Sequence, residues 1–363
     1  MRVGLVIYGD LSTASGGFLY DRMLVEALRR GGDTVDVLSL PWKSYGACLR
    51  QNFDSGLRSL ISGWDGDLLL QDELNHPSLF LLNDAVRRAH RFPIISIVHH
   101  LRVSEAHPFP ARQLYRRVER SYLRSVDGFV FNSNATRSSV EDLIDGPTRG
   151  VVVTPGGDRL GPGPSEEAVE RRCASPGPLR ILFVGNMIPR KGLLTLVQAL
   201  ALVPRALWRL TIAGARGMDG AHAAAVDRAI AANGLRENVD APGSLSDAQL
   251  ASALRESHVL AVPSQHEGFG IVYLEAMGFG VVPIGSRAGG AAEVIEHDRS
   301  GLLVPATDAR ALADAISGLA RDRTRLRSLA KGARARFRAF PGWEQSMGGA
   351  CRSLGELARE RRA

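Results

Sequence analysis

Short apolar runs bounded by turn residues alternate along the chain with longer stretches whose apolar positions recur at helical spacing. The first pattern predicts β-strands and the second helices. In the first half the strands are expected at Arg2–Tyr8, 34–38, 67–71, 94–99, 128–132 and 151–155. In the second half they are expected at 180–185, 209–213, 239–242, 258–263, 281–285 and 301–304. Strand and helix alternating in this way predicts an α/β chain with parallel sheets.

A change in composition divides the pattern. Residues 156–178 are rich in Gly, Pro and charge, which predicts a linker or hinge. Two doubly wound domains are therefore expected, 1–165 and 175–340, each binding ligands at the carboxyl ends of its strands. Two such domains facing each other would enclose a cleft suited to a small molecule. The arginine-rich helical tail breaks at Phe340-Pro341-Gly342 and resumes at Trp343, so residues 341–363 are expected to form a helix crossing back to the first domain.

Composition narrows the function classes. The chain has 363 residues, 45% of them hydrophobic and 23% charged, ordinary for a globular protein of two domains. MRVGLVIYG reads as a first strand rather than a secretory leader, and apolar runs long enough to span a bilayer are missing. Cys48, Cys173 and Cys351 are far apart, without metal-ligand spacing. A reduced, cytoplasmic setting follows as the expectation. The formal charge of +7 is almost all arginine, with lysine only at Lys43, Lys191 and Lys331. It suits phosphorylated ligands or an anionic membrane; nucleic acid is not expected as a partner, because the basic residues are dispersed and carry no recognition motif. The Arg112–Arg124 stretch reads either as a helix covering its own sheet or as one lying at the inner face of a membrane.

The densest chemistry lies in SQHEGFGIVYLEAMGFG, residues 264–280. Glu267 and Glu275 flank Gly268-Phe269-Gly270, and a helix is expected from Ile271. Glycines permit a sharp turn, and a helix N-terminus offers unpaired amides to an anion. A carboxylate is suited to hydroxyl groups rather than to the phosphate itself, so phosphate with hydroxyls on either side predicts a nucleotide sugar. Arg190 and Lys191 follow the first strand of the second domain and could neutralise a diphosphate. Gly16 and Gly17 after the first strand form either a plain tight turn or a close backbone approach to phosphate or sugar. His99 and His100 end a strand, as ligand-facing donors or as structural histidines. Asp65-Gly66-Asp67 precedes a strand and reads as a solvated turn rather than a metal site.

With these residues together, the chain resembles the retaining, nucleotide-sugar-dependent glycosyltransferases of the GT-B fold, glycosyltransferase family 4. The likeness is densest over 180–305, through Glu267, GFG, Glu275, Gly289-Gly290 and Glu293. It implies that Glu275 bonds the ribose, that Glu267 meets the donor sugar, and that backbone around Gly268, Phe269, Gly270 and Ile271 meets sugar and diphosphate. It further implies that Lys191 binds diphosphate beside Arg190, that Gly16 and Gly17 approach it, that His99 lies near the transferred sugar, and that Gly243 and Leu245 belong to the loop packing on the base. His99, Lys191 and Glu267 would be the catalytic set. Asn186 stands where the family usually has arginine. Gln71, Asp72, Glu73, Asn75, His76 and His100 are the expected acceptor-side groups. The implied co-substrate is a UDP- or GDP-linked sugar, without cofactor or metal, and the acceptor a hydroxyl on a polyol, saccharide or lipid-linked glycan. A hydrolysing nucleotide-sugar 2-epimerase and a non-catalytic nucleotide-sugar-binding protein are the alternatives.

Overall fold

The computed structural model describes residues 1–89 and 92–360. Its contacts divide the chain into two units, Met1–Pro155 with Trp343–Ala363, and Gly156–Gly342. Each unit is a six-stranded parallel sheet between helices.

In the first unit the strands are β1 (Arg2–Tyr8), β2 (Thr34–Leu40), β3 (Leu68–Asp72), β4 (Ile94–Val98), β5 (Gly128–Phe131) and β6 (Gly150–Val152), in the order β2-β1-β3-β4-β5-β6. The strands β3, β4 and β5 are buried along their whole length, as a sheet covered on both faces requires. The helix Gly16–Arg30 follows β1 and buries Phe18, Leu19, Tyr20, Leu24, Val25 and Leu28 along one stripe. Asp21 lies within that stripe. The C-terminal helix Trp343–Glu360 returns to this unit, burying Trp343, Met347, Ala350, Leu354 and Ala358, with Trp343 edge-on to Tyr20 at 6.2 Å. The arginine-rich helix Phe109–Leu123 turns Val118, Glu119, Tyr122 and Leu123 inward. It leaves Phe109 and Leu114 exposed.

The second unit contains β7 (Leu179–Val184), β8 (Trp208–Ala213), β9 (Val239–Gly243), β10 (Val259–Val262), β11 (Val282–Ser286) and β12 (Leu302–Val304), in the order β12-β11-β10-β7-β8-β9. The 156–178 segment is not the plain linker its composition suggests. It carries the helix Glu166–Ala174, whose Val169 and Cys173 are buried in this unit's core. Arg172 on the same helix is buried too, donating from its two terminal nitrogens to the carbonyls of Leu254, Arg255, Phe279 and Gly280. These bonds fasten the segment to the unit by bringing donors to carbonyls of two other segments.

All twelve expected strands are present, with ends differing by at most three residues. In each sheet the order reverses once at a central pair, β1 beside β3 and β7 beside β10. Loops leaving such a pair diverge to opposite faces and open a crevice at the carboxyl edge. The reversal points therefore mark where each unit can hold a ligand. No helix among the described residues is long and apolar enough to cross a membrane.

Candidate functional site

At the reversal point of the second unit, the loop after β7 meets the loop after β10. The turn Pro189–Lys191 ends on Gly192, in left-handed conformation with φ +72°. A Cβ at Gly192 would lie 2.1 Å from the Pro263 carbonyl oxygen, so only glycine lets the two loops approach this closely. The backbone amide of Gln265 then donates to the Arg190 carbonyl at 2.7 Å. This contact brings Lys191 to Glu267, with Nζ 2.6 Å from Oε1. The Ser264 hydroxyl donates to the same oxygen at 2.6 Å, and Arg190 stands 4.0 Å from Oε2.

Glu267 is 5% exposed. Burial by itself raises its pKa, but the charges of Lys191 and Arg190 and the two hydrogen bonds outweigh it, holding the carboxylate down to about 2. Burial lowers the pKa of Lys191, an effect opposed by Glu267. One carboxylate beside two cations leaves the pocket with a net charge of +1.

Gly289 and Gly290 brace the loop from behind. A Cβ on Gly289 would fall 2.1 Å from the Glu267 carbonyl oxygen, and one on Gly290 would fall 2.2 Å from that of Gly268. The Gly290 amide donates to the Glu267 carbonyl at 2.7 Å. Gly270, with φ +95°, then begins the helix Ile271–Gly278. Its cap carries no side chain, so the first-turn amides have no side-chain acceptor at the cap. Phe269 turns inward, edge-on to Phe340 at 5.9 Å. The Phe269, Gly270 and Ile271 backbone lies on the same loop as Glu267, next to the positive end of the helix.

Glu275 lies one turn further along that helix and is 2% exposed. Its Oε1 accepts from Arg159 Nε at 2.5 Å, and Arg159 also pairs with Asp247. Burial raises the Glu275 carboxyl to about 7 despite the arginine. The pattern did not reveal Arg159, which sits in the supposed linker with no periodicity to mark it. Gly243, with φ +86°, ends β9 with open space where a Cβ would stand, and Leu245 is half-buried against the core. The Asn186 carbonyl accepts from the Ile188 amide at 2.8 Å, on the same turn as Lys191.

In the first unit the reversal point gathers a different set. Asp72 is the last residue of β3, His99 follows β4, and Asp21 projects from the helix after β1. His99 Nε2 donates to Asp21 Oδ1 at 2.9 Å. A Cβ on Gly17 would touch His99 Cδ2 at 3.0 Å, so this glycine accommodates the imidazole ring. Gly16 is exposed and begins the helix behind the Ser15 cap. Burial raises the Asp72 carboxyl to about 7, reinforced by the Asp21 charge. Burial lowers His99, but Asp21, Asp72 and Glu73 together raise it to about 9.

The other expected acceptor-side residues turn inward. Asn75 is fully buried and donates to the carbonyls of Val6 and Asp72. Gln71 is paired with Asn83. Glu73 is buried with His76 and Glu119; burial raises both acids to about 8 and lowers His76 to about 4. His100 is half-buried and meets Glu105 Oε1 at 3.1 Å. Asp21 and Glu119 were missed in the sequence, although each is an acid set in the apolar stripe of its helix, a signal that was there to be read.

Two triads, Asp21-Asp72-His99 and Glu73-His76-Glu119, are close enough to share a cation. Neither fits one well. His99 is held protonated, and a protonated imidazole lacks the lone pair that ligation needs. In the second triad His76 is engaged by Glu73 and Tyr45, and Glu119 accepts from the amides of Arg102 and Val103.

Residues 166–336 match the family of glycosyl transferases group 1. This stretch is similar to a group 1 glycosyl transferase domain. Lys191, Glu267, Glu275 and the Gly289-Gly290 brace all lie inside the matched stretch. The chain is 34% identical to a D-inositol 3-phosphate glycosyltransferase of Xylanimonas cellulosilytica, over 58% of this chain and 53% of that protein. It is 29% identical to a GDP-mannose-dependent alpha-(1-6)-phosphatidylinositol monomannoside mannosyltransferase of Mycolicibacterium smegmatis, over 78% and 74%. The chain spans about half the length of the curated relatives it matches first. In fold, the chain matches the sucrose-phosphate synthase of Thermosynechococcus elongatus, with TM-score 0.83 and 23% identity over 99% and 98% of the two chains. It also matches Anabaena HepE in complex with UDP-glucose, with TM-score 0.78 and 17% identity over 98% and 100%. The architecture is GT-B, two Rossmann-like units on one chain.

Proposed function

We propose that the protein is a retaining glycosyltransferase that moves a sugar from a nucleoside-diphosphate donor to a hydroxyl acceptor. The observation that carries this reading is the buried Lys191–Glu267 pair beside the uncapped helix at Ile271, on a loop braced by Gly289 and Gly290. An ionised carboxylate buried beside two cations is costly to build unless a ligand uses it. The net positive charge and the helix dipole are matched to a diphosphate, and Glu267 to sugar hydroxyls next to it. Lys191 and Arg190 supply the charge that a metal ion would otherwise bring, which supports transfer without one. Glu275, further along the helix, is assigned to the ribose.

The acceptor is assigned to the first unit, through Asp72 and His99 at the sheet edge. The inositol-phosphate and phosphatidylinositol-mannoside enzymes among the relatives favour a polyol or a lipid-linked glycan. Exposed Phe109 and Leu114 on the arginine-rich helix support a lipid acceptor reached from a membrane surface. GDP- and UDP-linked donors both occur among the names of these relatives and fold neighbours.

A thermal-shift screen with UDP-glucose, UDP-N-acetylglucosamine and GDP-mannose tests the reading, because a ligand of the folded state raises the melting temperature. One donor should stabilise the chain, and Glu275→Ala should abolish that shift. No stabilisation by any nucleotide sugar would overturn the proposal. Product stereochemistry, read by NMR at the anomeric proton, tests retention; an inverted product would contradict it.

A further inference from the structure

We propose that Asp21 is a positioning residue for His99, gripping the ring by its Nε2 edge and leaving Nδ1 as the edge that meets substrate. The proposal rests on the glycosyltransferase reading only for what the substrate is.

The geometry supports it on every side of the ring. Asp21 Oδ1 takes the Nε2 hydrogen at 2.9 Å. A Cβ on Gly17 would come to 3.0 Å from Cδ2, so a larger residue there would press on the ring. Tyr20 packs edge-on, with ring centroids 5.1 Å apart. Asn132 Nδ2 donates to the His99 carbonyl at 2.9 Å, fixing the backbone as well. The remaining edge carries Nδ1, and the His99 side chain keeps 14% of its surface accessible.

Asp21 has little reason to be buried otherwise. It is 0% exposed within the apolar stripe of its helix, and its Oδ2 is buried without a hydrogen-bond partner. Such a carboxylate costs free energy unless a cation compensates it. His99 is that cation. The charged groups facing the imidazole are Asp21 on the helix Gly16–Arg30, Asp72 at the end of β3 and Glu73 just after it, all acidic. They keep the ring protonated into alkaline solution, so Nδ1 is an N–H donor and not an acceptor. A fixed cationic donor at a sheet edge suits a phosphate or hydroxyl oxygen of the substrate. Asp72 belongs to the same cluster, with its Oδ1 accepting from the Leu74 amide at 3.0 Å.

The test reads the ring directly in the full-length chain by NMR titration of the His99 imidazole, which needs no substrate. The wild-type ring should titrate with a midpoint of about 9. Asp21→Asn should lower that midpoint by a unit or more, a tenfold or greater loss in proton affinity; Asp21→Glu should preserve most of it. A wild-type midpoint near the ordinary histidine value, or one unmoved by Asp21→Asn, overturns the proposal. If Asp21→Asn fails to fold, the wild-type midpoint and Asp72→Asn, with a smaller drop, decide. Binding of manganese or zinc that displaces the ring proton would also overturn it.

With UDP-glucose or GDP-mannose turned over, Asp21→Asn should move the alkaline limb of the kcat profile to lower pH without changing UDP affinity. If neither sugar is bound, the glycosyltransferase reading falls while the ring titration still judges Asp21.

Discussion

Arg159 Nε lies 2.5 Å from Glu275 Oε1, and this contact decides the charge on the carboxylate assigned to ribose. Burial pushes Glu275 up to about 7, so only the arginine keeps it partly ionised near neutrality. With Arg159→Ala the carboxyl stays protonated at pH 7 and loses one of its two acceptor oxygens. UDP affinity by calorimetry should fall ~10-fold at pH 7, about 1.4 kcal/mol. It should recover in part at pH 9 as Glu275 ionises. Equal affinity for variant and wild type at both pH values would remove Arg159 from the nucleotide site.

Lys191→Ala removes the cation nearest Glu267 from the pocket proposed for the diphosphate and leaves Glu267 buried beside Arg190. Turnover of the donor identified by thermal shift should drop by roughly 100-fold or more, the scale of losing one charge-stabilising group. Donor binding should change much less than turnover. Full activity in Lys191→Ala would refute its assignment to the leaving group.

Gly290→Ala would put a methyl carbon 2.2 Å from the Gly268 carbonyl oxygen. The loop carrying Glu267 must move, while the core beneath it stays packed. Loss of the donor-induced thermal shift is expected, with the ligand-free chain destabilised by only ~1–3 kcal/mol. A variant that binds donor normally would show that the loop position is not needed.

Stability should decline as the pH rises. Asp72, Glu73, Glu119 and Glu275 have folded-state pKa values above the ordinary carboxylate values of 3.8 and 4.5, at about 7, 8, 8 and 7. The native chain then holds more protons than the unfolded chain between pH 4 and 8, so stability is lost as pH rises through that window. His99, raised from 6.5 to about 9, extends the loss to pH 9. His76, lowered to about 4, opposes it only between pH 4 and 6.5. The melting temperature should therefore be lower at pH 9 than at pH 6.5, and Glu73→Gln should flatten the slope. A melting temperature that rises from pH 6.5 to 9 would contradict these shifts.

Arg172→Ala would take the side-chain donor from four carbonyls, three of them in buried bonds. Chemical denaturation should show a loss of roughly 3 kcal/mol. Donor binding by the remaining folded protein should be unchanged, because Arg172 touches neither Glu267 nor Glu275.

Local pattern alone determined the strands, the two-sheet plan and the residues with unusual backbone needs. Ile94–Val98 is apolar enough to be a buried strand anywhere, and the glycines at 268, 270, 289 and 290 announce a tight loop before any partner is known. The pairing of charges was decided by tertiary structure. Lys191 and Glu267 are 76 residues apart and Arg159 and Glu275 are 116 apart, so no spacing rule connects them. They meet because parallel strands bring distant loops to one edge, and the strand order chooses which loops share it. Burial was decided there as well. Asp72, Glu73 and Asn75 look alike as polar residues at a strand end, yet packing buries all three and sets the first in one cluster with Asp21 and His99. Helical periodicity placed Asp21 on an inward face, but only the fold put His99 in front of it.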